Sequence, residues 1–431
     1  MLALLNRQMK TKPLRIALLG FGTVGGSVTK ILCERPELAD RLQLTHIFNR
    51  SVARKRVAWV PASVTWTDDI DAVFGSKPDV VVEVVGGVDP AGDWVRRALQ
   101  QGAAVVTANK MLLATQGPEL LHLAATHHTQ LRFEAAVAGG VPVVQGVREG
   151  LAGDRLTRVA GILNGTSNYV LSTMEKGDES MTAVLVEARR LGFAEADPSA
   201  DIDGDDAAAK IVVLAGMAFQ RHLRLADIPK VSIRPISAAD FRYASRLGCT
   251  IRQIARVEVR GDGFYARVGP TLVRSDSQFG LNVGANNVVT ISGLYGGETT
   301  FSGAGAGGPA TAVAVVSDLV ALTRGHQVRG EEWAPATIAL APLRPYYLRF
   351  VIRDRPGIVA SIAEALARRG INLEAMLQEP GYPKDALPFA ITVEACDEAP
   401  LREALRDIGE ADFHVEPTLA LPMLLRDNLA T

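Results

Sequence analysis

Leu14-Arg15-Ile16-Ala17-Leu18-Leu19-Gly20-Phe21-Gly22-Thr23-Val24-Gly25 decides the architecture of the first part of this chain. An apolar run of strand length meets a glycine cluster, and Val24 to Leu32 repeat apolar residues at helical spacing, so the segment reads strand, tight turn, helix. In the GxGxxG pattern Gly20 permits the turn, Gly22 lets the backbone approach a pyrophosphate, and Gly25 lets the helix pack closely on the strand. Free N–H groups at the helix start meet the negative phosphates. A bare GxGxxG is a weak signal; placed between strand and helix and followed by more strands of parallel type, it becomes a dinucleotide site formed by Gly20, Phe21, Gly22, Thr23, Val24 and Gly25.

Those further strands are short continuous apolar runs: Leu44 to Phe48, Asp79 to Val85 and Ala103 to Thr107, with Trp94 to Gln101 as a crossover helix between the last two. Continuous rather than alternating hydrophobicity means both sheet faces are covered, which predicts an α/β, Rossmann-type parallel sheet. In such a sheet the second strand ends in an acidic residue when the ribose 2'-hydroxyl of NAD is bound. Here it ends in Phe48-Asn49-Arg50, with Arg54, Lys55 and Arg56 beyond. Arginine suits the 2'-phosphate of NADP, so NADP is the expected cofactor and NAD the alternative, with Asn49 and Arg50 as the discriminating residues.

The 431 residues, 48% of them hydrophobic, are enough for two or three domains with real cores. A net charge of −1 and the lack of a basic stripe argue against a nucleic-acid partner. Cys33, Cys249 and Cys396 are too few and too scattered for a disulfide framework or a thiolate metal site, and adjacent His127 and His128, read on a surface helix, lack ligand-spaced partners for a catalytic zinc. Met1 to Arg15 lacks the apolar core of a signal peptide, and no run approaches the roughly 20 apolar residues of a membrane span, so a cytoplasmic protein with no membrane partner is expected.

Four units are expected: a dinucleotide-binding domain over 12–131; an α+β substrate and dimerisation domain over 132–325, with 303–325 packing back on the first; a linker over 326–343, with Trp333 packed on a neighbouring surface; and a C-terminal unit over 344–431. The second contains strands at Leu156 to Leu163 and Gln253 to Arg260 and helices at Met181 to Leu191 and Ala207 to Phe219. The last reads strand (Tyr346 to Ile352), helix (Ile358 to Arg368), strands (Ile371 to Gln378 and Phe389 to Cys396), helix (Pro400 to Ile408) and strand (Phe413 to Glu416). That βαββαβ order is ferredoxin-like. An isolated unit of this kind has an open sheet face and edges, which predicts pairing between subunits.

Chemistry concentrates in Ala188 to Lys210, ARRLGFAEADPSADIDGDDAAAK, where six acidic residues and one terminal lysine fall within 23 positions. Before Ala207 the stretch is too rich in Asp, Gly and Pro for an ordinary helix. Asp205 or Asp206 suits the cap of the helix that follows, and Asp206 and Lys210, four apart, share one face. An exposed acidic loop with a routine surface pair has the same composition. The spacing of Ala188, Gly192, Asp197-Pro198, Asp201-Ile202, Gly204, Asp206 and Lys210, however, resembles the homoserine dehydrogenase signature throughout. So do Glu83 to Gly87, Thr107-Ala108-Asn109-Lys110, Gly161 to Tyr169 (GILNGTSNY) and Gly303 to Thr311 (GAGAGGPAT), so that the resemblance spans Leu14 to Leu322. The C-terminal unit resembles an ACT domain.

The resemblance implies interconversion of L-homoserine and L-aspartate 4-semialdehyde in threonine and methionine biosynthesis, with NAD(P)H giving or taking the hydride. It implies Lys210, Asp206 and Lys110 as catalytic residues and Glu195 and Asp201 on the substrate ammonium; the backbone amides of Gly165 and Thr166, with help from Lys110, suit the carboxylate of such a zwitterion. Thr107, Lys110 and Gly305 join the cofactor site, and Glu134, Val137 and Gly139 are implied as a structural sodium or potassium site; read alone, they are a buried turn in which Glu134 meets a backbone donor. Phe193 departs from family members that carry Tyr there, so no phenol is assigned. The ACT resemblance implies Gly357 and Asn372 as effector residues, L-threonine as effector, and a homo-oligomer, dimer or tetramer. A phosphorylating aspartate-semialdehyde dehydrogenase would need a nucleophilic cysteine, and none of the three is suitably placed. A sensor of the NADP(H) pool would have no use for Lys110, Asp206 and Lys210 together.

Overall fold

The computed structural model describes residues 12–324 and 332–424, so part of the linker read at 326–343 lies outside the described residues. The first layer is a six-stranded, all-parallel sheet built from β1 (Leu14–Leu19), β2 (Leu42–Phe48), β3 (Thr65–Thr67), β4 (Val80–Glu83), β5 (Ala104–Thr107) and β6 (Leu131–Arg132), in the order β3-β2-β1-β4-β5-β6. The strand order reverses between β1 and β4, and ligands of doubly wound sheets bind at that crevice. The helix Lys110–Thr126 ends one residue before His127, and His128 adopts a φ of 53°, so this pair caps a helix rather than lying within one. The chain returns late to this layer: Ala312, Val315 and Leu319 of the helix Gly308–Thr323 share a core with Ile16, Leu18 and Val28.

The remaining strands are β7 (Leu156–Ile162), the short β8 (Arg221–His222), β9 (Cys249–Arg260), β10 (Gly263–Arg274), β11 (Asn286–Gly293), β12 (Gly297–Ala304), β13 (Ala334–Pro335), β14 (Arg344–Ile352), β15 (Leu373–Gln378), β16 (Leu387–Cys396) and β17 (His414–Leu424). Apart from the β8–β13 pair, they form one nine-stranded sheet in the order β12-β11-β7-β9-β10-β17-β14-β16-β15. The helix Asp205–Phe219 buries Ala207, Ala208, Ile211 and Val212 in a core shared with Val159, Ala255, Val257 and Val289 of the sheet.

The open face expected of the ferredoxin-like sheet is covered in large part by the substrate domain of the same chain, while Leu373 and Met376 of β15 remain exposed. Tyr347, Leu419 and Leu421 pack with Tyr243, Ile251 and Leu272 in one core. The fully buried Asp240 accepts from Tyr347 Oη at 2.9 Å and lies 2.9 Å from the Arg349 guanidinium. Leaving either charge of a buried pair alone costs about 3–5 kcal/mol. The physical reason is that the last strand does not stop near Glu416: it runs to Leu424 and pairs parallel with β10 at Leu272 and Val273. Among the described residues, only the outer edges, β12 and β15, remain unpaired within this sheet.

Candidate active site

The glycine turn has the close contacts its sequence requires. A Cβ on Gly25 would lie 2.0 Å from the Gly20 carbonyl oxygen, and Gly20, at φ 103°, sits against the Val84 carbonyl. At Gly22, by contrast, a Cβ would meet nothing within 4 Å, so the turn is open on the side a pyrophosphate approaches. Phe21 anchors the turn edge-on against Trp66 with ring centroids 4.7 Å apart. Gly308 lies so close to Thr23 and Ser27 that a Cβ there would come within 2.8 Å of Thr23 Cγ2, which brings the 303–308 loop onto the fingerprint helix. Asn49 Oδ1 accepts from Ser51 N at 2.9 Å, while Arg50 is exposed beside it.

At the end of β4 the fully buried Glu83 accepts from Val85 N (2.8 Å) and Gly86 N (3.0 Å) through one oxygen and from Thr107 Oγ1 (2.6 Å) through the other. Thr107 Oγ1 accepts in turn from Asn109 N at 3.0 Å, and Asn109 Oδ1 caps the helix that opens with Lys110, accepting from Leu112 N at 3.1 Å. This chain of hydrogen bonds fixes where Lys110 leaves the first sheet.

Lys110 meets the substrate domain at Asp206. Its Nζ lies 3.0 Å from Asp206 Oδ1, and Lys210 Nζ lies 2.7 Å from Oδ2. Lys210 also donates to the Leu163 carbonyl at 2.7 Å. An ammonium has three donors, and these two contacts use two of them. Gly204, at φ 92°, rather than an aspartate, starts the helix; Asp205 and Asp206 occupy its first turn. Burial alone would raise the Asp206 carboxyl, but the Lys210 and Lys110 ammoniums, with hydrogen bonds from Lys210 and Asn164, hold it well below the usual carboxylate range.

Asn164 is the residue that sequence reasoning missed. Its amide donates to Asp201 Oδ1 at 2.6 Å and to Asp206 Oδ2 at 2.9 Å, while its Oδ1 accepts from Ser167 N at 2.8 Å and caps the helix Gly165–Met174. The buried Gln253 supports the arrangement, since its Oε1 accepts from Ser167 Oγ at 2.8 Å and its Nε2 donates to the Asp201 carbonyl at 3.1 Å. The available signal was Asn-Gly-Thr-Ser at the end of an apolar run, a helix N-cap pattern. Burial, with the Asp206 charge adding to it, raises the Asp201 carboxyl despite the Asn164 hydrogen bond.

Other site residues fall at varying distance from this centre. Gly165 and Thr166 open the helix beside Asn164, and Thr166 Oγ1 donates to the Phe193 carbonyl at 2.7 Å, tying the 191–198 loop to the site. Phe193 stacks on Tyr169 with centroids 4.6 Å apart. Glu195 is exposed on that loop and, among the described residues, makes no hydrogen bond or ion pair to the cluster. Gly305 lies against the Asn287 amide, where a Cβ would come within 2.1 Å, and Asn287 Nδ2 donates to the same Leu163 carbonyl that holds Lys210. Glu134 accepts from Val144 N (2.9 Å) and Gln145 N (2.7 Å), and burial beside Asp318 pushes its carboxyl up to about 7. Gly139, at φ 58°, is pressed onto the Gly305 backbone. Among the described residues no group of three or more His, Cys, Asp or Glu is arranged to hold a metal ion. In the C-terminal unit Gly357, at φ 95°, caps the helix Ile358–Ala367, and Asn372 is exposed with its amide 3.4 Å from Glu394.

A dinucleotide turn on the first sheet together with two lysines that share one carboxylate defines the class: an NAD(P)-dependent oxidoreductase acting on a CH–OH group. The model for the homoserine dehydrogenase NAD-binding domain matches residues 20–134, the homoserine dehydrogenase model 142–320 and the ACT domain model 346–413. A homoserine dehydrogenase of Neisseria gonorrhoeae is 35% identical over 96% of this chain and 99% of its own. The crystal structure of a homoserine dehydrogenase from Thiobacillus denitrificans superposes with a TM-score of 0.88 at 34% identity, covering 96% of this chain and 98% of that one. A hyperthermophilic archaeal homoserine dehydrogenase in complex with NADPH gives a TM-score of 0.64 at 27% identity over 73% of this chain and 99% of its own. The chain belongs to the homoserine dehydrogenase family, with a C-terminal ACT domain, and interconverts L-homoserine and L-aspartate 4-semialdehyde.

Proposed function

We propose that Lys210 is the group that stabilises and protonates the aldehyde oxygen, with Asp206 as its counter-charge and Lys110 as the second active-site cation. The observation that carries this reading is the single carboxylate between two ammoniums: Asp206 lies against Lys210 as its counter-charge, and the Leu163 carbonyl aims it. Reduction of an aldehyde develops negative charge on oxygen, which a positioned ammonium stabilises most in the transition state. A bound nicotinamide would supply or accept the hydride. Gly20, Phe21, Gly22, Thr23, Val24, Gly25, Thr107 and Gly305 are the residues that would hold the dinucleotide.

The substrate is a zwitterion. Asp201, raised above its ordinary value but bridged to Asp206 by Asn164, suits the ammonium, and Glu195 would join it from the 191–198 loop. The N–H groups of Gly165 and Thr166 at a helix start suit the carboxylate, with Lys110 adjacent. Glu134 with the backbone of Val137 and Gly139 is proposed to hold sodium or potassium outside the chemistry, where a cation would keep ionised a carboxyl that burial favours in its neutral form.

NADP is the proposed cofactor, because Asn49-Arg50 stands where an acidic residue would favour NAD; the NADPH complex of the archaeal relative supports this by analogy. Purified protein given homoserine should reduce NADP with a lower KM than NAD, read from the absorbance of the reduced nicotinamide. Arg50→Ala should raise KM for NADP about tenfold or more while moving KM for NAD little, since a charge-assisted phosphate contact is lost only with NADP. Equal effects on both dinucleotides would mean that Arg50 acts through general charge. L-threonine is the proposed effector at Gly357 and Asn372, and a homo-oligomer the proposed assembly, with the unpaired β12 and β15 edges available to join subunits.

A further inference from the structure

Trp333 stands on the strap between the substrate domain and the ACT unit, and its indole is only 3% exposed. Phe133 meets it edge-on at 5.9 Å and the His222 ring lies nearly parallel to it at 6.4 Å. Its faces and edges are closed by glycines on two helices. A Cβ on Gly117 would come within 2.7 Å of the indole, and one on Gly216 within 2.5 Å. Gly117 belongs to the helix that begins with Lys110; Gly216 belongs to the helix that carries Asp206 and Lys210. Those helices already meet nearer their starts, through the 3.0 Å contact between Lys110 and Asp206. At a rise of about 1.5 Å per residue, the indole sits roughly 10 Å along the first helix from Lys110 and roughly 9 Å along the second from Lys210.

We propose that Trp333 is a positioning residue: an indole wedge whose thickness sets the spacing of the two lysine-bearing helices, and with it the reach between Lys110 and the Asp206–Lys210 pair. The wedge is held from the substrate-domain side. Ala334 N donates to Gln220 O at 3.1 Å, Ala336 N to His222 O at 3.0 Å, and Phe264 N to Thr337 O at 2.9 Å, after which the strap leads into β14 of the ACT unit. The indole therefore joins the dinucleotide domain, the substrate domain and the strap that leads to the ACT domain at one point. The inference rests on the roles proposed above for Lys110 and Lys210.

Gly117→Ala and Gly216→Ala test it without emptying the core. Alanine is the better helix former, which favours Gly216→Ala outright. At position 117 its methyl also meets the ring of Pro118, the next residue of the helix, so Gly216→Ala is the primary test, and in both variants the methyl collides with the indole and forces the helices apart. Each variant should keep the parent's circular dichroism and melt no more than a few degrees lower, yet lose roughly 10- to 100-fold in kcat with little change in KM for homoserine, as expected when reacting groups are displaced by about 1 Å. Gly216→Ala combined with Trp333→Phe, whose smaller ring makes room for the methyl, should return kcat most of the way to the parent value. Parental kcat in both glycine variants would overturn the proposal, as would losses that merely follow the melting temperature, or no recovery in the double variant. Lys110→Ala run alongside separates the two claims. Parental turnover there, with the size rescue still seen, would remove Lys110 from the chemistry and leave the wedge standing.

Discussion

Asp206 carries the electrostatics of the site, because it is one carboxylate serving two lysines and an amide. Folding lowers its proton affinity, so the stability it contributes is fully present above its unfolded value of about 4 and is lost as pH falls through its lower folded value. Asp206→Asn leaves Lys110 and Lys210 without their counter-charge and should cost about 1–3 kcal/mol at neutral pH, less than a fully buried pair because water reaches Lys110. Urea unfolding of parent and variant at neutral pH and below about pH 4 checks the sign: the gap should narrow on acidification because Asp206 of the unfolded parent takes up a proton there while the folded carboxylate keeps its charge. A gap that holds or widens in acid would mean that packing, not charge, is what the asparagine disturbs.

At the scale of elements, the strand–turn–helix of Leu14 to Glu34 makes two glycines separable. Gly25→Ala brings a methyl into the Gly20 carbonyl and should destabilise the fold by about 2–3 kcal/mol or more, visible as a lower Tm with or without NADP. Gly22→Ala meets no protein atom, so Tm of the free protein should hardly move while KM for NADP rises steeply. The reverse pattern would contradict the reading of the turn. This turn was fully legible in the sequence, because glycine spacing reports backbone approach directly. So was the Asp206–Lys210 face, because helical spacing brings residues four apart together. The three-residue β3, Thr65–Thr67, was too short to show a period, and β17 was read short because its later residues pair with β10, a partner distant in sequence. Asn164 escaped for a related reason: its importance lies in Asp201 and Asp206, some forty residues on, not in its neighbours.

The whole molecule brings Lys110 from one sheet and Lys210 from the other to a common carboxylate, and it builds the ACT sheet onto the second of those sheets. The shared sheet and the Asp240–Arg349 contact give the ACT unit a packed connection to the substrate domain. Removing the unit would uncover Tyr243, Ile251 and Leu272, so a point change is the cleaner test of regulation. Asn372→Ala should weaken inhibition by L-threonine about fivefold or more, within the usual range of a coupling between distinct sites. Inhibition that is unchanged and competitive with homoserine would place threonine in the catalytic site as a substrate mimic. The most direct test of the account remains the turnover of Lys210→Ala with homoserine and NADP. It should fold and bind NADP as the parent does while kcat falls by roughly two to four orders of magnitude, the contribution of a positioned proton donor. A variant whose kcat stays within a few-fold of the parent would show that the lysine on Asp206 is not where the substrate oxygen is held.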